Sequence, residues 1–361
     1  MSLTTLSAEQ AISRLHEFDA VIDARSEDEY AQDHLPGAVN WPTLNNAERH
    51  AIGTLYKQVN PFEAKKRGAA LAARNIASHI ERELLTTAKE WRPLTYCWRG
   101  GKRSGSLSLI LDQIGFRVTL LEGGYKAFRA AVVHDTERRV ANLDWRVVCG
   151  TTGSGKTRLL QALAQAGAQV IDLEALANHR SSVLGAIPGL AQPSQKRFDT
   201  LIWDALRQID PTRPVFIESE SKKVGNVAVP TALIEAIRRS TCLRLALPDA
   251  QRVALLMEDY AFFVQNTAHF CDRLQALSEI RGRAQVESWQ AAVRAGRIAC
   301  VVQELLTLHY DPVYLQSMQR NFTRFEASVL LSPADHSAQA MSELARRLIK
   351  DSNPAQLGTS G

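Results

Sequence analysis

Short apolar runs alternate with longer stretches that carry apolar residues every third or fourth position, the pattern of an α/β protein with parallel sheets. In the first part of the chain the runs Ala20–Asp23, Leu94–Cys97 and Val118–Leu121 predict strands. Ser104–Ile114 predicts a helix, with Gly115 as its stop signal. Residues 136–144, with Glu137, Arg138, Arg139 and Asn142, read as a polar crossing into a second domain. There Trp145–Cys149 is a buried strand feeding a glycine loop. Lys156–Ala166 then places Leu159, Leu160 and Leu163 on one helical face and ends at Gly167. Gln169–Asp172, Val215–Ile217 and Leu243–Leu247 predict further buried parallel strands, and from Asp249 to about Lys350 the pattern is mostly helical. The expected organisation is a first domain over 1–138, a second over 139–350, and a Ser-, Asn-, Pro- and Gly-rich tail at 351–361 that should be disordered.

Composition adds limits rather than identity. With 361 residues, two domains can each bury a core. A hydrophobic fraction of 45% with 22% charged residues is that of a globular protein, and a formal charge of +5 is compatible with a polyanionic partner without proving one. No apolar run reaches the roughly 20 residues of a membrane span, and the N-terminus lacks a signal-peptide pattern. The five cysteines are scattered without a C-x-x-C pair, which argues against a disulfide framework or a zinc site. A cytoplasmic protein without a resident metal or a tightly bound cofactor is expected.

Two loops carry chemistry. Cys97-Trp98-Arg99-Gly100-Gly101-Lys102-Arg103-Ser104 ends a predicted strand and opens a predicted helix. Backbone N–H groups, the helix N-terminus and the cations Arg99, Lys102 and Arg103 would favour the Cys97 thiolate and could cradle an anion, a persulfide or selenopersulfide included. Gly150-Thr151-Thr152-Gly153-Ser154-Gly155-Lys156-Thr157 has the Walker A spacing in the strand–loop–helix context that motif requires. Gly150, Gly153, Ser154, Gly155, Lys156 and Thr157 are the candidate diphosphate ligands, and Thr157 could ligate Mg²⁺. Asp172, Glu218 and Glu220 are the candidates for a second acidic group near that site.

Upstream, Asp23-Ala24-Arg25, Glu29-Tyr30 and His34-Leu35-Pro36-Gly37-Ala38-Val39-Asn40 resemble the rhodanese family, which implies that Asp23 and Arg25 support the cysteine loop rather than react. The interval Cys97 to Arg103, C-x5-R, is one residue longer than in ordinary sulfurtransferases and is shared with rhodanese-like cysteine phosphatases. The loop alone leaves sulfur transfer and phosphate hydrolysis open. The expected fold class is therefore a rhodanese-like parallel-sheet domain followed by a P-loop NTPase-like α/β domain with a helical C-terminal part.

Both loops in one chain, together with the segment Gly53–Gly68 and with His309-Tyr310-Asp311-Pro312-Val313-Tyr314, resemble the bacterial tRNA 2-selenouridine synthase family. The resemblance implies a transferase acting on tRNA that carries 2-thiouridine at the wobble position. It implies selenophosphate and geranyl diphosphate as co-substrates, an S-geranylated intermediate, and Cys97 as the essential cysteine. It also implies an enzyme that makes selenophosphate as a partner. Arg99, Gly100, Gly101, Lys102 and Arg103 would then form the selenophosphate loop. A rhodanese-like phosphatase or sulfurtransferase with an attached nucleotide-binding domain is the alternative.

For RNA, the basic insertion near 45–75 supplies Lys57, Lys65, Lys66, Arg67 and Arg74 as phosphate contacts, and Trp98 is a candidate ring for stacking the target base. Arg273, Arg281, Arg283, Arg294 and Arg297 form a second, weaker set. Helices around 255–263 and 301–308 are apolar enough to line a geranyl pocket, but the sequence does not locate one.

Overall fold

The computed structural model describes residues 3–180, 182 and 184–351. The expected disordered tail lies, beyond Asp351, outside the described residues. The chain divides into two compact units. The first runs to Thr136 and also includes Pro193–Asp204; the second comprises Glu137–Gln192 and the chain from Ala205 onward.

The first unit holds β1 (Thr4–Leu6), β2 (Ala20–Asp23), β3 (Ala38–Asn40), β4 (Pro93–Tyr96) and β5 (Thr119–Leu121) in one sheet of order β1-β5-β4-β2-β3. All pairings are parallel. Every residue of β4 is buried, as a central parallel strand covered on both faces requires. β1 and β3 escaped the sequence pattern because they are short edge strands; Thr4, Thr5 and Val39 are exposed, so neither forms an apolar run. The helix Gly124–Val140 runs into the stretch read as a polar crossing and ends within it. Asp135, Thr136 and Val140 are buried there, so the crossing, where the division between the two units falls after Thr136, begins as the end of a packed helix.

The second unit holds β6 (Trp145–Cys149), β7 (Gln169–Ile171), β8 (Val215–Glu218), a small antiparallel hairpin of β9 (Lys223–Val224) and β10 (Val227–Ala228), β11 (Thr241–Leu245) and β12 (Val329–Leu331). Its main sheet is parallel throughout, in the order β12-β11-β6-β8-β7. β11 begins two residues earlier than the hydrophobic run suggested, because Thr241 and Cys242 take the register opposite Arg146 and Val147. β12 interrupts the segment expected to be helical; only Leu331 is buried, so this edge strand is invisible to periodicity. The helical part has its own core, with Phe263, Phe270, Leu274, Trp289, Val301 and Leu305 among its members. Among the described residues no helix is long and apolar enough to cross a membrane.

The basic insertion is a helical hairpin, Asn46–Gln58 and Pro61–Glu83. Asn45 and Glu48 form a capping box on the first helix. Asn60 Oδ1 accepts from Phe62 N and Glu63 N at the start of the second, where Pro61 occupies the first turn.

Candidate functional site

Cys97 follows β4 directly and is 3% exposed. Its Sγ accepts a hydrogen bond from Ser104 Oγ at 3.1 Å, and Ser104 lies in the first turn of the Lys102–Ile114 helix, whose N-cap is Gly101. The loop is held from behind by the turn after β5: Cys97 O accepts from Tyr125 N at 2.8 Å and Trp98 O from Lys126 N at 3.0 Å. That closeness requires glycine. Gly124 has φ +58°, and a Cβ there would fall on Cys97 O and Gly100 N; a Cβ on Gly100 would lie 2.7 Å from Leu121 O. The Gly123-Gly124 pair was legible as a turn signal after a strand, but not as the back wall of the loop.

A Gly124→Ala variant should lose about 2–4 kcal/mol of stability in the first unit, since both the φ and the backbone clash oppose it. Gly53→Ala, inside a helix with nothing within 4 Å of its added Cβ, should be neutral or slightly stabilising. Chemical denaturation of both proteins checks this; equal midpoints would remove the argument for the back wall.

The cations of the loop are not equivalent. Arg99, Gly101 and Lys102 are exposed and Gly100 is half-buried. Arg103 is turned onto Glu29, Nη1 to Oε2 at 2.7 Å, and Arg49 meets the same carboxylate at 2.8 Å. Burial opposes ionisation of Glu29, but Arg103 and Arg49 outweigh it and hold its carboxyl below the usual range. Thus Arg103, read from the sequence as part of a free anion loop, is tethered. The E-Y element of the rhodanese-like pattern contained Glu29, but nothing in the sequence paired it with Arg103.

Asp23 and Arg25 are buried as a bidentate pair, with Arg25 Nη2 also donating to Asp33 O at 2.6 Å and Tyr96 OH donating to Asp23 Oδ2 at 2.8 Å. The Trp98 ring is half-buried, with its centroid 5.5 Å from that of Tyr125 and 5.7 Å from the Lys196 ammonium.

In the second unit β6 runs into the glycine loop and the helix Lys156–Gln165 follows. Lys156 Nζ folds back to Gly150 O at 2.6 Å. Two residues far away in sequence clamp the loop. Tyr314 Oη accepts from Gly150 N at 2.6 Å and also meets Ser219 Oγ at 2.9 Å. Arg252 donates through Nε and Nη2 to Thr152 O at 3.0 and 2.8 Å and is held in turn by Asp311 at 2.6 Å. His309, in a one-turn π-helix, accepts from Arg281 Nε at Nδ1; burial and the Arg281 cation keep it neutral-leaning, below the usual histidine range. The segment His309–Tyr314 therefore supports the glycine loop. Sequence separation hides such a clamp.

Of the residues proposed for a diphosphate, Gly150 and Ser154 have their N–H groups engaged, by Tyr314 Oη and by Thr151 O at 3.1 Å. The first-turn N–H groups of Lys156 and Thr157 have no intrahelical partners, as at any helix start. Ser154 Oγ is buried without a hydrogen-bond partner.

Carboxylates gather at the ends of β7 and β8. Glu218, opposite Val148 of β6, is 2% exposed. Its Oε1 accepts from Glu174 N at 2.9 Å and its Oε2 has no partner. Thr157 Oγ1 donates to Glu174 Oε2 at 3.3 Å. Burial first, and then Asp172, Glu220 and Glu174, push Glu218 well above the usual carboxylate range; burial, with Glu174, also raises Asp172. No group of three His, Cys, Asp or Glu side chains among the described residues could hold a metal by itself. Hard oxygen donors beside a phosphate loop nevertheless suit Mg²⁺, which keeps waters and takes one or two carboxylates plus phosphate oxygens. Thr157, whose hydroxyl meets Glu174, and Glu218, whose Oε2 has no partner, are oxygen donors of that type.

A carboxyl whose folded pKa is raised stabilises the fold below its unfolded value and loses that contribution as pH rises through the folded value. In magnesium-free buffer Glu218→Gln should therefore be more stable than the parent by roughly 1–3 kcal/mol at pH 8 and by little at pH 4.5. Thermal unfolding at both pH values tests the sign; a pH-independent difference would assign the effect to packing.

A cavity of about 580 Å³ opens over the glycine loop, lined among others by Lys156, Thr157, Arg180, Ser219, Glu220 and Tyr314. Arg180 is fixed there by Asp259 O at 2.7 Å and lies 4.6 Å from the Tyr260 ring centroid. Beside it is an apolar pocket whose walls include Met257, Phe263, Ile298, Val302 and Leu305. Thr152, Ser182, Leu256, Tyr260 and Tyr310 line both.

Lys57, Lys65, Lys66, Arg67 and Arg74 are all exposed on the hairpin of the first unit, Lys66 pairing with Glu63. Of the second set, Arg281 is committed to His309, while Arg283, Arg294 and Arg297 are exposed.

Residues 7–131 match the family model for a rhodanese-like domain, and residues 143–292 match that for a tRNA 2-selenouridine synthase AAA domain. Among curated relatives, the tRNA 2-selenouridine synthase of Nitrosomonas europaea is 35% identical over 348 residues, covering 83% of this chain and 89% of that protein. The protein of the same name from Sulfurovum sp. is 31% identical over 332 residues, covering 84% and 90%. That from Alcanivorax borkumensis is 34% identical over 267 residues, covering 72% of each.

Proposed function

The chain belongs to the tRNA 2-selenouridine synthase family, and on that premise we propose that it exchanges the sulfur of wobble 2-thiouridine in tRNA for selenium. Selenophosphate donates the selenium, and geranyl diphosphate provides an S-geranylated intermediate. The observation that carries this reading is the sharing of walls between the glycine-loop cavity and the apolar pocket. An amphiphilic diphosphate has a charged head for the first and a hydrocarbon tail for the second, whereas a nucleoside base would gain little from Phe263, Ile298 and Val302.

In the first step the thiouridine sulfur attacks C1 of the geranyl group. The S–C1 bond forms, the C1–O bond breaks with its electron pair leaving on pyrophosphate, and the N3 proton departs. Lys156 swings from Gly150 O to the leaving group, and the first-turn N–H groups of Lys156 and Thr157 bind its oxygens. Mg²⁺, when held by Thr157 and Glu218, supplies further charge neutralisation at the pyrophosphate.

In the second step the alkylated base has an electron-poor C2. The Cys97 thiolate forms an Sγ–C2 bond and expels geranylthiolate. Selenium of selenophosphate then displaces Sγ, and water takes the phosphoryl group as phosphate. Selenium stays at the selenide level throughout. A selenopersulfide on Cys97, the carrier suggested by the loop alone, would need a two-electron oxidant that selenophosphate does not bring. Arg99 and Lys102 bind the phosphoryl oxygens, while Arg103 is positioned by Glu29 and reaches an anion only by sharing it.

Nucleoside mass spectrometry of 2-thiouridine-containing anticodon RNA tests the scheme. The protein with geranyl diphosphate should yield the geranylated nucleoside, and with selenophosphate as well it should yield 2-selenouridine. Unchanged RNA together with hydrolysis of an aryl phosphate would replace this reading with the phosphatase alternative.

A further inference from the structure

The tip of the helical hairpin in the first unit is unexplained by the fold. Residues 56 to 62 are exposed without interruption, and among them Tyr56 is 51%, Val59 72% and Phe62 66% exposed. The helix Asn46–Gln58 buries no residue, and its partner Pro61–Glu83 buries only Ala64, Ile76 and His79. The turn itself is closed by Asn60 and Pro61, so the aromatic rings contribute nothing to it.

Cations surround these rings. Between residues 53 and 70 stand Lys57, Lys65, Lys66 and Arg67 against the single acid Glu63, a balance of 4 − 1 = +3. Lys66 sits on Glu63 and also 5.1 Å from the Phe62 ring centroid, whereas Lys57, Lys65 and Arg67 make no ion pair among the described residues.

We propose that this tip, Tyr56 and Phe62 with Lys57, Lys65 and Arg67, is an RNA-docking element whose rings stack on unpaired tRNA bases while the cations hold the adjacent phosphates. The proposal rests on the tRNA-modifying function above and extends it from phosphate contacts to a base-stacking surface. Exposed aromatic rings interleaved with unpaired cations suit single-stranded nucleic acid, because every base offers a π-face and every linkage a negative charge. A second copy of the chain fits poorly, since self-association at the tip would oppose +3 with +3.

The test uses the full chain and a fluorescently labelled tRNA transcript. Tyr56→Ala/Phe62→Ala should weaken binding about 10- to 100-fold with an unchanged salt dependence, and Tyr56→Trp/Phe62→Trp should retain it. Lys65→Gln/Arg67→Gln should weaken binding and reduce the slope of log K against log salt by about 1.5–2. Since all four side chains are exposed, folding should be unaffected, and calorimetry on each variant checks that. Wild-type binding that the double alanine variant retains in full overturns the proposal and leaves the proposed function standing. A parent protein that binds no tRNA overturns both. A dimer that the double variant dissociates, with RNA affinity unchanged, assigns the tip to self-association instead.

Discussion

A Cys97→Ala protein is expected to lose selenium incorporation by a factor on the order of 10³ or more while geranylating 2-thiouridine RNA at the parent rate. The loop should survive the change. Its shape is fixed by backbone bonds from Tyr125 N and Lys126 N and by the close approach of Gly124, none of which involves Sγ. Among the described residues the only side-chain bond lost is that from Ser104 Oγ, which also lies 3.5 Å from Gly101 O. Ser104→Ala is the graded control. Removing one hydrogen bond to a thiolate should slow selenium transfer roughly 10- to 100-fold without abolishing it. Supplying already geranylated RNA with selenophosphate isolates the step, and 2-selenouridine formed by Cys97→Ala at the parent rate would remove the cysteine from the mechanism.

The mirror-image outcome is expected for Lys156→Ala: geranylation should fall about 10²- to 10³-fold, the usual cost of deleting one preorganised charge at a developing anion. Selenation of RNA that already carries the geranyl group should be unimpaired. Lys156 contacts the loop carbonyls of Gly150 and Thr151 and lies 5.5 Å from the Tyr314 ring centroid, but the hydrogen bonds from Gly150 N to Tyr314 and from Arg252 to Thr152 O hold that loop without its ammonium. Loss of the charge should therefore be separable from loss of the loop. Tyr314→Phe, which removes the acceptor for Gly150 N, probes the clamp and should lower both diphosphate affinity and stability modestly. If Lys156→Ala abolished selenation of geranylated RNA too, the division of labour between the two loops would be wrong.

Both loops were readable because each is local. A strand, a glycine-bearing turn and a helix start are consecutive in sequence, and the chemistry proposed for Cys97 and Lys156 is argued from that order. Central strands were readable for a related reason: β2 and β6 are largely buried and carry the short apolar runs Ala20–Ile22 and Val147–Cys149. Edge strands β1, β3 and β12 were not, since a strand with one neighbour need not be apolar. The helix Gly124–Val140 went unread because exposed Glu137 and Arg138 make its end look only polar until the buried Thr136 and Val140 are placed.

The sequence by itself determined the α/β class, the central strands and the family, and it marked the cysteine loop and the glycine loop as strand–turn–helix segments. All of these depend on residues adjacent along the chain or on their periodicity. Tertiary structure alone decided that Glu29 tethers Arg103, that Gly124 forms the back wall of the cysteine loop, and that Tyr314 and Arg252 clamp the glycine loop. It also decided that Leu256 and Tyr260 join a polar cavity to an apolar pocket, that Thr157 meets Glu174, and that Glu218 is buried with an unpartnered oxygen. The physical reason is common to them all. Each is a contact between groups distant in sequence, whose distance and burial are set by how strands and helices pack and leave no trace in local composition.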